Sequence, residues 1–315
     1  VYCLISTNST ELTMNQQLNQ LFQAKKRAHF ARDYTYFDDS EINSLSSPNS
    51  FENTCFLLPH LSVIKVSGED ALSFLQGQIT VDLNNAPLAP MACYMSRKGR
   101  IISLFYLARD NNDFYLMMPS DISDVFIKQL KKYVFMSKVS IDITDRLVIS
   151  LTNDLSKMFN STFLKNEPHT CIENQTWYAL DETQLSALHD ANTKKPFTLM
   201  GDWAWHKQQL LNKTTSIYPE TIAKLLAHDI ELHTTSAIDF KKGCYIGQEI
   251  VARMHYKAKL NYELNVISIG NEVDAVPGSD LIIDDVKKGM VVDALSDTQG
   301  NQLVLLCLRK KHNEK

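Results

Sequence analysis

Apolar residues recur near the helical period at the start of the chain and then switch to the alternating or continuous runs of strands. In "MNQQLNQLFQAKKRAHF", Met14, Leu18, Leu21, Phe22 and Ala28 predict one helix, and the Ser-, Asn- and Asp-rich "DDSEINSLSSPNSFENT" predicts a loop. "LSVIKVSG" then predicts a strand ended by glycine. "SGEDALSFLQGQIT" predicts a short helix opened by a Ser67/Asp70 capping pattern. "ACYMS", "RIISLFYLAR" and "DFYLMMP" follow as strands joined by tight turns, a β-α-β-β-β run that fits a mostly antiparallel sheet.

Ser120 and Asp121 stand where a helix N-terminus favours them, with Ile122, Val125, Phe126 and Tyr133 on one face and Tyr133, Val134 and Phe135 expected inside. "VSIDIT" and "RLVISLT" read as strands, and 176–200 as strand, helix and strand, completing a second α+β unit. "GDWAWHKQQLLN" is helical. From about 262 onward, "YELNVISIG", "LIIDDVKKGMVVDALS" and "NQLVLLCLRKK" predict strands alone, with turns at "PGSD", "KKG" and "DTQGN" and a small β-barrel or sandwich as the outcome.

Composition agrees with a folded chain of two or three compact units: 315 residues, 44% hydrophobic and 22% charged. Its 32 basic and 36 acidic residues are intermixed and give a formal charge of -4, so contact with nucleic acid requires a local basic patch. No C-x-x-C pair joins the cysteines, which argues for reduced thiols and against a metal centre owned by this chain. The start of the chain lacks the basic and apolar regions of a signal peptide, and no apolar run approaches the roughly 20 residues of a membrane span. A cytoplasmic, monomeric protein without membrane contact is expected. Serine-triad, Walker, G-x-G-x-x-G and H-E-x-x-H patterns are all missing.

Candidate chemistry concentrates in "FKKGCYIGQEIVAR", residues 240–253. Gly243 and Gly247 flank Cys-Tyr-Ile, placing Cys244 on a tight turn, and Lys241, Lys242 and Arg253 bring positive charge that favours a thiolate. The residues alone leave two readings of Cys244, a small buried side chain or a functional thiol. Gln248 and Glu249 read either as polar groups opening the next element or as ligand contacts. In "VARMHYKAKLN", strand alternation would put Arg253, His255, Lys257 and Lys259 on one face, fit for a polyanion, a polyglutamate tail or solvent. "WAWHK" offers Trp205 as a core aromatic or a platform for a pterin ring.

"KGCYIGQE" resembles the signature of the YgfZ family of folate-binding proteins, relatives of the T-protein (aminomethyltransferase) of the glycine cleavage system. "VSGEDALSFLQGQITVDL", "RKGRIISLFYL" and "LKKYVFMSKVSI" are similar to that family in the same order, so the resemblance spans roughly 60–260. It implies an α+β fold: two mixed units with largely antiparallel sheets plus a small C-terminal β-barrel, arranged around a central hole. The corresponding limits are 1–50 for the N-terminal helix and link, 51–120 with 196–255 for a discontinuous folate-binding domain, 121–195 for the second domain, and 256–315 for the barrel.

The resemblance also implies a tetrahydrofolate or one-carbon cofactor, bound by Lys242, Gly243, Tyr245, Gly247, Gln248, Glu249, Arg253 and Trp205, with Cys244 as the functional thiol. Its partners would be reduced folate, iron–sulfur enzymes or assembly proteins, and tRNA. In the T-protein, acids essential to aminomethyl transfer follow the glycine of the second strand. Ile102 and Ser103 stand there in this chain, and an alkyl group cannot assist proton transfer, so that transfer is expected to be lost. Upstream of the motif, "NKTTSIYPET" and "LLAHDIELHT" depart from the family pattern, and His228 and Glu231 are assigned to no pocket. The expected role is an accessory to iron–sulfur and tRNA-modifying enzymes. A folate-dependent aminomethyl or methyl transferase is the alternative, and an RNA-binding module using His255, Lys257 and Lys259 a further one.

Overall fold

Hydrophobic strands that are buried on both faces need two layers of cover, and the chain supplies them by backing two five-stranded sheets onto one shared core. The structure is a computed structural model that describes residues 14–29, 32–43, 45, 51–85, 87–135, 137–165, 167–172, 174–257 and 262–310. In chain order the first elements are α1 (Met14–Phe22), β1 (Lys25–His29), β2 (Arg32–Tyr36), α2 (Asp39–Ile42), β3 (Thr54–Leu58), β4 (Leu61–Ser67) and α3 (Ala71–Gln76). Next come β5 (Met91–Met95), β6 (Ile101–Asp110), β7 (Asp113–Pro119), α4 (Ser120–Leu130), β8 (Ser140–Thr144), β9 (Leu147–Thr152), α5 (Asn153–Asn160), β10 (His169–Ile172) and β11 (Gln175–Leu180). The chain continues through α6 (Glu182–Lys194), β12 (Thr198–Met200), α7 (Asp202–Leu211), α8 (Gln248–Lys257), β13 (Tyr262–Ile269), β14 (Asp280–Ile283), β15 (Val286–Ser296) and β16 (Gln302–Arg309).

The first sheet, ordered β5-β6-β7-β4-β8, is antiparallel throughout. The second, β10-β11-β9-β3-β12, is antiparallel except for the parallel β12–β3 pair. Phe56, Leu58, Val63, Met117, Val148, Trp177 and Trp205 form the core between them. On the outer faces, α3 and α4 cover the first sheet through Phe74, Leu75 and Phe126, and α1, α5 and α6 cover the second through Leu18, Leu155 and Leu188. Strands are exchanged across the expected boundaries: β3, from the span assigned to the first unit, pairs in the second sheet, and β8 does the reverse.

The C-terminal strands form a four-stranded antiparallel sheet ordered β13-β16-β15-β14, with no pairing between its outer strands among the described residues. A buried polar network ties it to α7 and the N-terminal hairpin. His206 Nε2 lies 2.9 Å from Asp293 Oδ2, and its Nδ1 lies 2.7 Å from the Tyr34 hydroxyl. The Tyr218 hydroxyl also donates to Asp293. All four residues are buried, so their polar atoms must find partners within the protein, and Asp293 accepts from the Thr215 hydroxyl as well.

Several local expectations are corrected. The first helix ends at Phe22, and the basic stretch after it turns into the β1–β2 hairpin, where Tyr34 finds a buried place that helical continuation would deny it. Asp70 does not cap α3 with its side chain; it accepts instead from the Lys138 amide, 2.8 Å away. Phe135 is 88% exposed and Val125 38% exposed, while Tyr133 and Val134 pack against the first sheet's core. The expected "KKG" turn lies inside β15, because Asp284 and Asp285 both take φ above +50° and make the hairpin two residues earlier. No helix among the described residues is long and apolar enough to cross a membrane.

Candidate functional site

The segment 239–248 is a loop anchored from both sides. Asp239 Oδ1 accepts from the amides of Lys241 and Lys242, closing an aspartate turn. The Lys242 side chain then runs inward, and its ammonium donates to the carbonyls of Gln76, Ile79 and Val81 at 2.7–2.8 Å. Burial lowers its pKa to about 8, against the opposing pull of Asp82 and Asp239. Gly247 takes φ +86° with the Ser96 carbonyl 2.7 Å from where a Cβ would sit, so no other residue fits there without a shift. Gly243 has open space around it and carries no such demand. Tyr245 is buried beside the Lys242 ammonium, 5.4 Å from its ring centre, and burial raises its phenol pKa.

Between these anchors Cys244 is exposed, which removes the reading of a small buried side chain. The residues after it form α8 rather than a strand, so the alternation expected for the basic residues does not occur. Glu249, Arg253 and Lys257 now follow one another at four-residue spacing on an exposed face, and His255 turns aside to stack on Phe240 at 3.8 Å. Gln248 bonds back to the carbonyls of Lys242 and Gly243. Lys259 lies outside the described residues.

A cavity of about 590 Å³ opens elsewhere, between the two large sheets and the segment after α7. One wall is aromatic: Tyr106 of β6 and Trp177 of β11 stack with centroids 4.0 Å apart. Trp205 lies behind Trp177, edge-on at 5.5 Å, in the core and not in the lining. A second wall is amide-rich. Gln209 Oε1 accepts from the hydroxyls of Tyr106 and Thr214, and Gln208 Oε1 accepts from Gln175. The amide N–H donors of Gln208 and Gln209 are left without a protein partner among the described residues. Glu231 is the acid of the described lining and Lys213 its base. Both hold positive φ, 56° in each case, a conformation that costs a non-glycine residue free energy and marks a side chain placed by its surroundings.

Burial and the neighbouring His255 lower the His233 pKa, and Glu231 lies close enough for its charge to pull that pKa upward against them. His228 and His233 stack at 4.5 Å, and burial, followed by the neighbouring His233 and His255, lowers the His228 pKa to about 4. No group of three His, Cys, Asp or Glu residues placed to hold a metal ion occurs among the described residues. Ile102 and Ser103, where the resemblance led acids to be expected, are both buried in the first sheet, where the Ser103 hydroxyl meets the Met118 sulfur.

None of Lys242, Gly243, Cys244, Tyr245, Gly247, Gln248, Glu249, Arg253 and Trp205 lines the cavity. The structure brings the first eight together in and after one loop and places Trp205 apart. Sequence reasoning passed over Tyr106, Trp177, Gln208 and Gln209, and it named Glu231 without giving it a pocket. Trp177 and Tyr106 look like ordinary strand aromatics, and only the pairing of distant strands turns them toward one space. The left-handed Glu231 had no glycine or asparagine to announce it.

No protein-family profile matches the chain. The tRNA-modifying protein YgfZ of Vibrio atlanticus is 25% identical over 219 residues, covering 66% of this chain and 67% of the relative. Those of Aliivibrio fischeri strain ES114 and Buchnera aphidicola are 25% and 27% identical, covering 78% and 75% of this chain and 82% and 80% of theirs. This chain is similar to the YgfZ tRNA-modifying proteins over most of its length. Among solved structures, the glycine cleavage system aminomethyltransferase T of Bartonella henselae superposes with a TM-score of 0.70 over 96% of this chain and 90% of its own, at 13% identity. That similarity shows the fold. The aminomethyltransferase thus shares the overall architecture of this chain.

Proposed function

We propose that the cavity binds a reduced folate, tetrahydrofolate or a one-carbon derivative, and that the protein is an accessory to iron–sulfur and tRNA-modifying enzymes in which Cys244 is a functional thiol. The single observation that carries the folate reading is the Tyr106–Trp177 wall facing an amide-rich wall with one carboxylate. The volume falls in the range typical of small-molecule sites. A reduced pterin presents a flat ring and an edge of adjacent N–H donors beside a carbonyl. Glu231 would accept from those donors, the unpartnered amides of Gln208 and Gln209 would donate to ring acceptors, and Tyr106 would cover the ring face. Lys213 would meet the carboxylates of the glutamate tail. Bound folate would supply a one-carbon unit, and the chain's own part is to hold and orient it.

The tRNA-modification role rests on the relatives' names, and the thiol role on Cys244 being held exposed by a buried anchor. Lys242 and Gly247 would serve the site by fixing the loop rather than by touching the ligand. A transferase reading draws on Glu231, yet Ile102 and Ser103 stand where the resemblance led the aminomethyltransferase acids to be expected.

The test is a calorimetric titration of the reduced protein with tetrahydrofolate and its 5-formyl form, beside Cys244→Ala. Binding by both proteins is expected, because the thiol lies outside the cavity lining. Loss of binding in wild type would end the folate reading. Loss only in the variant would move the ligand to the Cys244 loop.

A further inference from the structure

The outward face of α8 carries a side-chain set that neither the cavity nor the thiol loop uses. Tyr256 is 68% exposed, which is unusual for a ring that is also firmly positioned. It stands edge-on to His255 at 4.8 Å and to Phe240 at 6.3 Å, and those two rings are stacked on each other. The trio thus holds Tyr256 in one orientation and leaves its face to solvent. Arg253, one turn before, and Lys257, one residue after, project together to one side of Tyr256, and neither has an ion-pair or hydrogen-bond partner among the described residues. Lys310 adds positive charge from the end of β16, within electrostatic reach of His233. Glu249 is the acid on the same face, at its far end.

We infer that this face is a docking surface for unpaired RNA, with a base stacking on Tyr256 and adjacent phosphates held by Arg253 and Lys257. Charge and shape both favour that occupant. Two uncompensated cations beside a clamped, exposed ring match an alternation of phosphate and base, and every base offers a π-face to stack upon. Duplex RNA hides its bases and would gain the electrostatic part only. On a chain of net charge -4, the attraction has to be local. The choice of RNA class rests on the proposed tRNA-modification role, but the surface is independent of what fills the cavity.

The experiment is fluorescence anisotropy with a labelled RNA stem-loop containing unpaired nucleotides and with the same sequence annealed into a full duplex, across a salt series and without folate. Wild type should prefer the stem-loop and weaken steadily as salt rises. Tyr256→Ala should lose affinity about 5- to 150-fold with the salt slope unchanged. Lys257→Gln should lower the slope by about 0.7 for the lost phosphate contact. Both side chains are exposed, so both variants should keep the wild-type melting temperature. No binding at low salt, or equal binding by wild type and Tyr256→Ala, overturns the inference. Because no folate is present, failure here with intact folate titration separates this surface from the cavity.

Discussion

Ten consecutive residues, Asp239 to Gln248, make the Cys244 loop, whereas the cavity takes Met91, Tyr106, Trp177, Gln209 and Glu231 from five separate segments. In the loop, almost every unusual residue has a local duty: Asp239 closes the turn, Lys242 satisfies three carbonyls, and Gly247 allows the chain past Ser96. In the cavity, each residue is ordinary in its own element and acquires a role only when the sheets meet. A compact motif therefore marks where a backbone is most constrained, which is not necessarily where a ligand sits.

The largest effect expected from breaking this division is on stability. Lys242→Met should cost roughly 3–5 kcal/mol, because two buried carbonyls and a part-buried one lose their donor at once, and chemical denaturation will measure it. Glu231→Gln should do the opposite. It should weaken tetrahydrofolate binding about 10- to 100-fold in a calorimetric titration, as expected for a charged hydrogen bond made neutral, with little change in melting temperature.

A pH effect of intermediate size comes from the histidines beside Glu231. The folded His228 pKa of about 4 lies below the value near 6.5 expected in the unfolded chain, so the unfolded state binds the extra proton between those values. Stability should be full above pH 6.5 and should fall by up to about 3 kcal/mol as pH drops toward 4. Denaturant titrations at neutral and acid pH should show this fall in wild type and a smaller one in His228→Phe. The smallest change is expected for Cys244→Ser. Its exposed side chain makes no contact that the fold requires, so stability should stay within about 0.5 kcal/mol and folate affinity should not move.

Most strands were legible because β-branched and aromatic runs ended in turn residues, as at β4, β6, β7 and β9. The two antiparallel units followed from short connections. Less visible was the exchange of β3 and β8 between sheets, since strand composition does not encode a partner. α8 was misread because Arg253, His255 and Lys257 alternate as a strand would, while Ile250, Val251 and Met254 supply a helical apolar stripe that decides the matter once it packs. For the site, the sequence marked the Cys244 loop but not the inward course of Lys242, and it showed the cavity hardly at all. Tyr106 and Trp177 are 71 positions apart, and nothing local to either predicts a 4.0 Å stack.

The most direct test of the division between thiol loop and cavity is a crystal structure of the reduced protein with tetrahydrofolate. The account predicts the pterin ring against Tyr106, its N–H edge at Glu231, and the Cys244 loop unchanged and free of ligand. A ring seated against Cys244, Gln248 or Glu249, with the cavity holding only solvent, would contradict it.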